Sequence, residues 1–197
     1  DEKGILGCIF DAGAYLGRFT EEDETGKTWQ VNRHEYRLPE TLKKLTLYCD
    51  TLYMPQLVYT RITGSNTKDE IRTGGLDQLD TLVVLASTDI DTKVLKLFQN
   101  VKYIELSKVK EMEEGCMAGL KKLESLKLPY AGVGSSTTAR NFGALFSTVA
   151  DEEMTRVTQK LEDGTSHTYY LPSGLQSLEL AEGCETLPYG AFSGCHL

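Results

Sequence analysis

The clearest pattern along the chain is a six-residue motif with apolar residues at its first, fourth and sixth positions. Two successive intervals between copies are 22 residues long. The first interval is longer by 15 residues, which is the length of the polar stretch 60–74, and the last is longer by 30 residues, with a polar segment after Gly134. The five copies lie at residues 42–47, 79–84, 101–106, 123–128 and 175–180.

This motif predicts short β-strands that stack in parallel. Side chains two positions apart on a strand point to the same side, so the fourth and sixth positions form one apolar row. A single strand cannot bury that row, whereas stacked copies bury it in a continuous core. The alternative is a set of unrelated amphipathic helices, because a spacing of three also fits a helical face. The spacing of five between the first and sixth positions suits a helix poorly, so we predict a mainly β repeat fold.

A second, larger repeat appears as two similar segments, one near each end of the chain. We therefore predict one domain over 1–197, with similar modules at about 1–59 and 129–197 and irregular repeats over 60–128. The offsets between matching segments lie between 133 and 136 residues. The matching pairs are 6–10 with 142–146, 34–39 with 167–172, and 49–52 with 184–187.

Both modules contain the signal of a β-hairpin. In the second module, residues 154–160 and 166–170 flank a loop with an Asp-Gly pair, which supplies the positive φ values that a tight turn needs. In the first module, a Thr-Gly pair precedes the β-prone run 28–31. The alternative for the first module is a disordered loop, because the acidic stretch 21–24 lies beside it.

Composition and charge narrow the classes of partner. The chain has 197 residues, of which 40% are hydrophobic, and its net charge is −8 at pH 7. An acidic balance without a run of five like charges argues against nucleic acid and anionic membranes as partners. No apolar stretch approaches the roughly 20 residues needed to span a bilayer, so we expect no direct membrane insertion.

Few residues point to catalysis or metal binding. The chain has five cysteines and three histidines, and no two cysteines have the CxxC spacing of a zinc site. No Ser-His-Asp or Cys-His set is visible from the spacing. We therefore expect no enzyme activity, no cofactor and no metal. The alternative is a hydrolase or hydrolase accessory domain, because a solenoid can assemble a catalytic set from distant residues.

The C-terminal part of the chain resembles a known repeat. Residues 171–180 read Leu-Pro-Ser-Gly-Leu-Gln-Ser-Leu-Glu-Leu, and residues 186–195 read Thr-Leu-Pro-Tyr-Gly-Ala-Phe-Ser-Gly-Cys. Together they resemble the BspA-type leucine-rich repeat. Residues 114–123 are a looser copy, with Met117 at the Phe place and Leu120 at the Cys place, and the resemblance is weakest over residues 50–100.

The resemblance implies a fold, a location and a role. The implied fold is a leucine-rich-repeat solenoid, mainly β with short helical or turn segments, in which β-hairpins interrupt a parallel sheet of stacked strands. The implied location is extracellular or at a bacterial cell surface, and the implied role is adhesion or protein binding without catalytic residues. Since the chain starts inside a module and stops in mid-repeat, we expect a fragment of a longer protein, and self-association through an open sheet edge is a further expectation.

The polar positions of the motif mark the candidate partner surface. The third and fifth positions point away from the apolar row, and an exposed polar sheet face is where such a scaffold meets a protein or glycan ligand. Charges of alternating sign at three fifth positions predict favourable cross-strand pairs. The alternative is a spacer segment whose face carries no ligand. The candidate contact residues are Lys44, Tyr103, Glu105, Lys127 and Glu179, and Tyr103 is the strongest of them because an exposed aromatic side chain contributes most to an interface.

Overall fold

The computed structural model describes residues 13–48, 58–90, 92–136, 140–161 and 163–195. These residues form two compact units, one made of 13–42 and 58–78, the other of 43–48 and 79–195. The described chain is mainly β, as predicted, with several sheets and only short 3₁₀ turns. The strands are β1 (Ala14–Glu22), β2 (Thr28–Arg37), β3 (Lys44–Leu47), β4 (Val58–Gly64), β5 (Thr67–Gly74), β6 (Thr81–Val84), β7 (Asp89–Ile90), β8 (Tyr103–Glu105), β9 (Glu111–Met112), β10 (Ser125–Leu128), β11 (Gly134–Ser135), β12 (Met154–Lys160), β13 (Ser166–Pro172) and β14 (Ser177–Leu180).

A five-stranded parallel sheet dominates the second unit. Its strands are the five copies of the leucine motif, and they lie side by side in chain order as β3-β6-β8-β10-β14. Every neighbouring pair is parallel, and the register places the fourth residue of each motif opposite the fourth residue of the next. The predicted alignment of these strands is therefore confirmed. The aligned residues are Leu45, Leu82, Ile104, Leu126 and Leu178.

Backbone hydrogen bonds between successive copies recur with the same period as the sequence motif. The amide of Lys102 donates to the carbonyl of Asp80 at 2.8 Å, and the amide of Glu124 donates to the carbonyl of Lys102 at 2.8 Å. Farther along the repeat, the amide of Lys110 donates to the carbonyl of Thr88 at 2.8 Å. Each of these bonds joins residues 22 positions apart, so the same backbone hydrogen bond forms between equivalent positions of consecutive copies.

The repeat contains a second, smaller sheet that the sequence motif did not predict. Its strands follow the order β11-β9-β7, with β7 and β9 parallel and β9 and β11 antiparallel. Ile90 of β7 pairs with Met112 of β9, and both side chains are fully buried. In the sequence, Phe98 follows β7 and Leu120 follows β9, each ahead of the next leucine motif. These two residues are also 22 positions apart, and both are fully buried.

Burial in the parallel sheet is deepest at its centre. The side chains of Leu82, Ile104 and Leu126 are at most 1% exposed. Leu178 in β14 is only half-buried, and so is Leu180. The inner strands therefore contribute most of the apolar free energy of the sheet, since that free energy scales with the apolar area removed from water.

The expectation of one parallel stack with hairpin insertions is wrong in one respect, because nine of the fourteen strands in the described residues lie in other, mixed or antiparallel sheets. In the first unit, β1 and β2 pair antiparallel, β4 and β5 pair antiparallel, and β2 and β5 join the two pairs in parallel. The polar stretch 60–74 thus forms most of a second hairpin, β4–β5. In the second unit, β12 and β13 form a two-stranded antiparallel sheet. A tight turn closes each hairpin, so its strands pair locally instead of joining the parallel sheet.

The hairpins predicted in the two modules are both present, and their loops match. Each loop has five residues, and the amide of the first residue donates a hydrogen bond to the carbonyl of the last. This bond joins Asp23 to Lys27 at 3.0 Å in the first loop and Leu161 to Thr165 at 2.8 Å in the second. The fourth loop residue is a glycine with φ of +80° or +84°, a conformation that L side chains rarely adopt. The matching segments 6–10 and 49–52 of the first module lie outside the described residues.

Cross-strand charges organise the four-stranded sheet. Arg33 bridges Glu21 on β1 and Glu70 on β5, and its Nε donates to Glu70 at 2.8 Å. Burial raises the pKa of Glu70, but the hydrogen bonds from Arg33 and Arg72 outweigh it and hold the pKa below its ordinary value. Val31, two positions before Arg33 on β2, is fully buried. Side chains two positions apart on a strand point to the same side, so this buried valine and the ion pairs of Arg33 share one face of the sheet.

One buried polar side chain connects the β12–β13 hairpin to neighbouring segments of the chain. Gln159 of β12 is fully buried, its Oε1 accepts from the amide of Gly143 at 2.8 Å, and its Nε2 donates to the carbonyl of Ala191 at 2.6 Å. A Cβ on Gly143 would lie 2.9 Å from the Gln159 oxygen, so the glycine permits this approach. The half-buried Cys195 Sγ lies 3.6 Å from Gln159 Nε2, and burial raises the pKa of this thiol.

We expect the Ile104→Ala substitution to lower the free energy of unfolding of the second unit by about 3 kcal/mol, because it leaves a cavity at the centre of the parallel sheet. The Leu178→Ala substitution removes the aligned side chain from a half-buried position, so its cost should be about 1 kcal/mol. Urea denaturation of both variants checks the difference. Equal losses for the two variants would contradict the burial gradient.

Candidate binding face of the parallel sheet

The outward positions of the leucine motif form two rows across the sheet. The fifth-position row places Glu105, Lys127 and Glu179 side by side on β8, β10 and β14. The third-position row runs through all five strands and consists of Lys44, Thr81, Tyr103, Ser125 and Ser177. We call these two rows the outer face. The structure brings four of the five predicted contact residues together, while Lys44 lies two strands away from Tyr103 in the same row.

A charge ladder crosses the outer face. Lys127 Nζ lies 2.7 Å from Glu179 Oε1, and the hydrogen bond with Glu179 raises the pKa of Lys127. The carboxylate of Glu105, on the other side of Lys127, raises this pKa further. The side chain of Glu179 is 64% exposed and that of Lys127 is 26% exposed, so the ladder is open to solvent at its Glu179 end.

Tyr103 is less exposed than the sequence suggested. Its side chain is half-buried, and its hydroxyl donates to Glu105 Oε2 at 3.2 Å. Burial raises the pKa of Tyr103, and the adjacent Glu105 carboxylate raises it further. The other Glu105 oxygen accepts a hydrogen bond from the Ser107 hydroxyl at 2.5 Å. The Glu105 carboxylate therefore holds the hydroxyl groups of both Tyr103 and Ser107.

The outer face is not polar along its whole length. Val83 on β6 occupies the fifth position next to Glu105, and its side chain is only 5% exposed. The fifth-position row is therefore solvent-accessible at Glu105, Lys127 and Glu179 but not at Val83. The polar, accessible part of the row therefore lies on β8, β10 and β14 and, on the far side of Val83, at Thr46 of β3.

Sequence reasoning missed two polar contacts of the parallel sheet. Ser107 lies just beyond the motif, so the alternation along the strand did not include it. Lys102 directly precedes β8, and Glu124 directly precedes β10. Lys102 Nζ and Glu124 Oε1 form an ion pair at 2.8 Å. The signal for this pair was available, because the two residues are 22 positions apart and occupy the same place in successive copies.

The chemistry of the outer face is that of polar recognition. It offers a phenol ring, two carboxylates, the ammonium groups of Lys44 and Lys127, and the hydroxyls of Thr81, Ser125 and Ser177. Within the described ranges, no three His, Cys, Asp or Glu side chains cluster closely enough to hold a metal ion. Among the same residues, no helix has the length and hydropathy to cross a membrane.

Comparison of the chain with protein-family models, with curated proteins and with solved structures finds no match. The candidate face is therefore defined by its geometry and by the repeat pattern in the sequence.

We expect the ion pair between Lys127 and Glu179 to add little to stability, because exposed pairs lose side-chain entropy and are screened by solvent. A double-mutant cycle of Lys127→Ala and Glu179→Ala, measured by urea denaturation, should give a coupling energy below about 1 kcal/mol. A coupling of several kcal/mol would mean that the ladder is a structural element of the sheet.

Proposed function

We propose that this chain is part of a BspA-type leucine-rich-repeat scaffold that binds a protein or glycan partner through the outer face, without catalysis. The supporting observation is the in-register parallel pairing of the five leucine motifs. That register removes the apolar positions from water and gathers the polar positions into rows on the other side.

The arrangement of the outer face favours a binding role. Its side chains are held before a partner arrives, since Glu105 orients Tyr103 and Ser107, and Lys127 orients Glu179. Preorganised groups lose less conformational entropy on binding than mobile ones. Hydroxyls, carboxylates and an aromatic ring suit the hydroxyl groups of a glycan and the polar groups of a protein surface equally well.

The location that fits this role is outside the cell or at a bacterial cell surface, as the repeat resemblance implies. Nucleic acid is not among the proposed partners, because the net charge of −8 repels phosphate. If the face carries no ligand, the remaining role for the repeat is that of a spacer within a surface protein.

Binding of the recombinant chain to a glycan array and to a panel of purified extracellular matrix proteins tests the proposal. For a ligand found in this way, the Tyr103→Ala substitution should weaken the affinity at least tenfold, because it removes the central aromatic contact and the hydroxyl that Glu105 holds. The matched control is Tyr189→Ala, which removes a tyrosine that is 65% exposed and lies outside the face.

Two outcomes contradict the proposal. Unchanged affinity in the Tyr103→Ala variant would place the binding surface elsewhere on the chain. Absence of binding to both the glycans and the proteins would favour the spacer role.

A further inference from the structure

A polar groove lies beyond the carboxyl ends of β8, β10 and β14, on the loops that follow these strands. It consists of two cavities of about 440 and 380 Å³. The cavities adjoin, since Tyr130, Ser136 and Gly183 line both of them. In open α/β sheets, ligands bind outside the carboxyl ends of the strands, and this groove lies at the corresponding end of its parallel sheet.

The two ends of this groove carry opposite charges. Lys108 and Lys110 line one cavity, and Glu185 lines the other. Within the described part of the chain, none of these three side chains forms an ion pair. Lys108 Nζ lies instead 5.5 Å from the ring of Tyr48, which is 65% exposed. The charged groups are thus available to a ligand at both ends.

The residues that line both cavities carry no charged side chain. Tyr130 is 2% exposed, and its hydroxyl donates to the carbonyl of Gly134 at 2.6 Å, so its ring forms a fixed floor. This phenol is uncharged at neutral pH, as an ordinary tyrosine is; burial raises its pKa further, and so do the carboxylates of Glu111 and Asp89. Ser136 and Thr186 contribute hydroxyls, and a Cβ at Gly183 would meet no atom within 4 Å, so the backbone there leaves open space.

We propose that this groove binds an extended peptide segment that carries a carboxylate at one end and a cation at the other. The carboxylate pairs with Lys108 and Lys110, and the cation pairs with Glu185. The peptide backbone between them exchanges hydrogen bonds with the hydroxyls of Ser136 and Thr186. A simple anion would use only the lysine end, and a neutral glycan would leave both charged ends unpaired.

Solution NMR of the full chain tests this assignment with defined peptides. The probes are capped peptides with an N-terminal Asp, one to four glycines and a C-terminal Lys, and the same peptides with Asn and Gln as the neutral counterparts. At millimolar concentration, the charged peptide of the matching length should shift the backbone amides of residues 107–110 and 181–186. The neutral counterpart should shift them at least several-fold less.

Variants of the groove locate the interaction. The double substitution Lys108→Glu and Lys110→Glu should abolish the shifts, and Glu185→Lys should weaken binding at least several-fold, because each repels one end of the peptide. Lys96→Ala is the matched control, since it removes an exposed lysine outside the groove and should leave binding unchanged. Equal shifts from charged and neutral peptides, shifts that survive the double substitution, or no shifts with any length would overturn the proposal. None of these outcomes bears on the outer face.

Discussion

The structure of the second unit depends on one constraint, which is that short strands must align their apolar side chains in register to bury them. Each motif strand has three or four residues, too few to form a core alone. Parallel pairing in register places Leu82, Ile104 and Leu126 in one continuous row, where they are at most 1% exposed. A slip by one residue would turn the entire row toward solvent, so the register is strongly specified.

The same constraint produces the outer face. Because side chains alternate along a strand, the register that buries the leucines also places Glu105, Lys127 and Glu179 next to one another. Their opposite charges make the neighbouring arrangement favourable, although the exposed part of the ladder adds little to folding. Hairpins such as β12–β13 interrupt the motif without breaking it, because their strands pair locally and the parallel strands continue with the next copy.

The sequence predicted the elements whose signal is periodic or local. The repeated motif located the parallel strands, and glycine-containing loops located the β1–β2 and β12–β13 hairpins but not β4–β5. The pairing of β2 with β5 could not be predicted, since it joins segments about 37 positions apart that share no pattern. The small β7-β9-β11 sheet was missed because two-residue strands are too short to show alternation. The half-burial of Tyr103 depends on its contact with Glu105, which alternation along one strand does not reveal.

The most direct test of the central claim is a map of methyl–methyl contacts by nuclear Overhauser spectroscopy on a chain with labelled leucine, isoleucine and valine methyl groups. The account predicts contacts from Ile104 to Leu82 on one side and to Leu126 on the other, with Leu126 also contacting Leu178. Contacts of Ile104 confined to residues three or four positions away along the chain would indicate a helix. That result would contradict the parallel sheet and every surface derived from it.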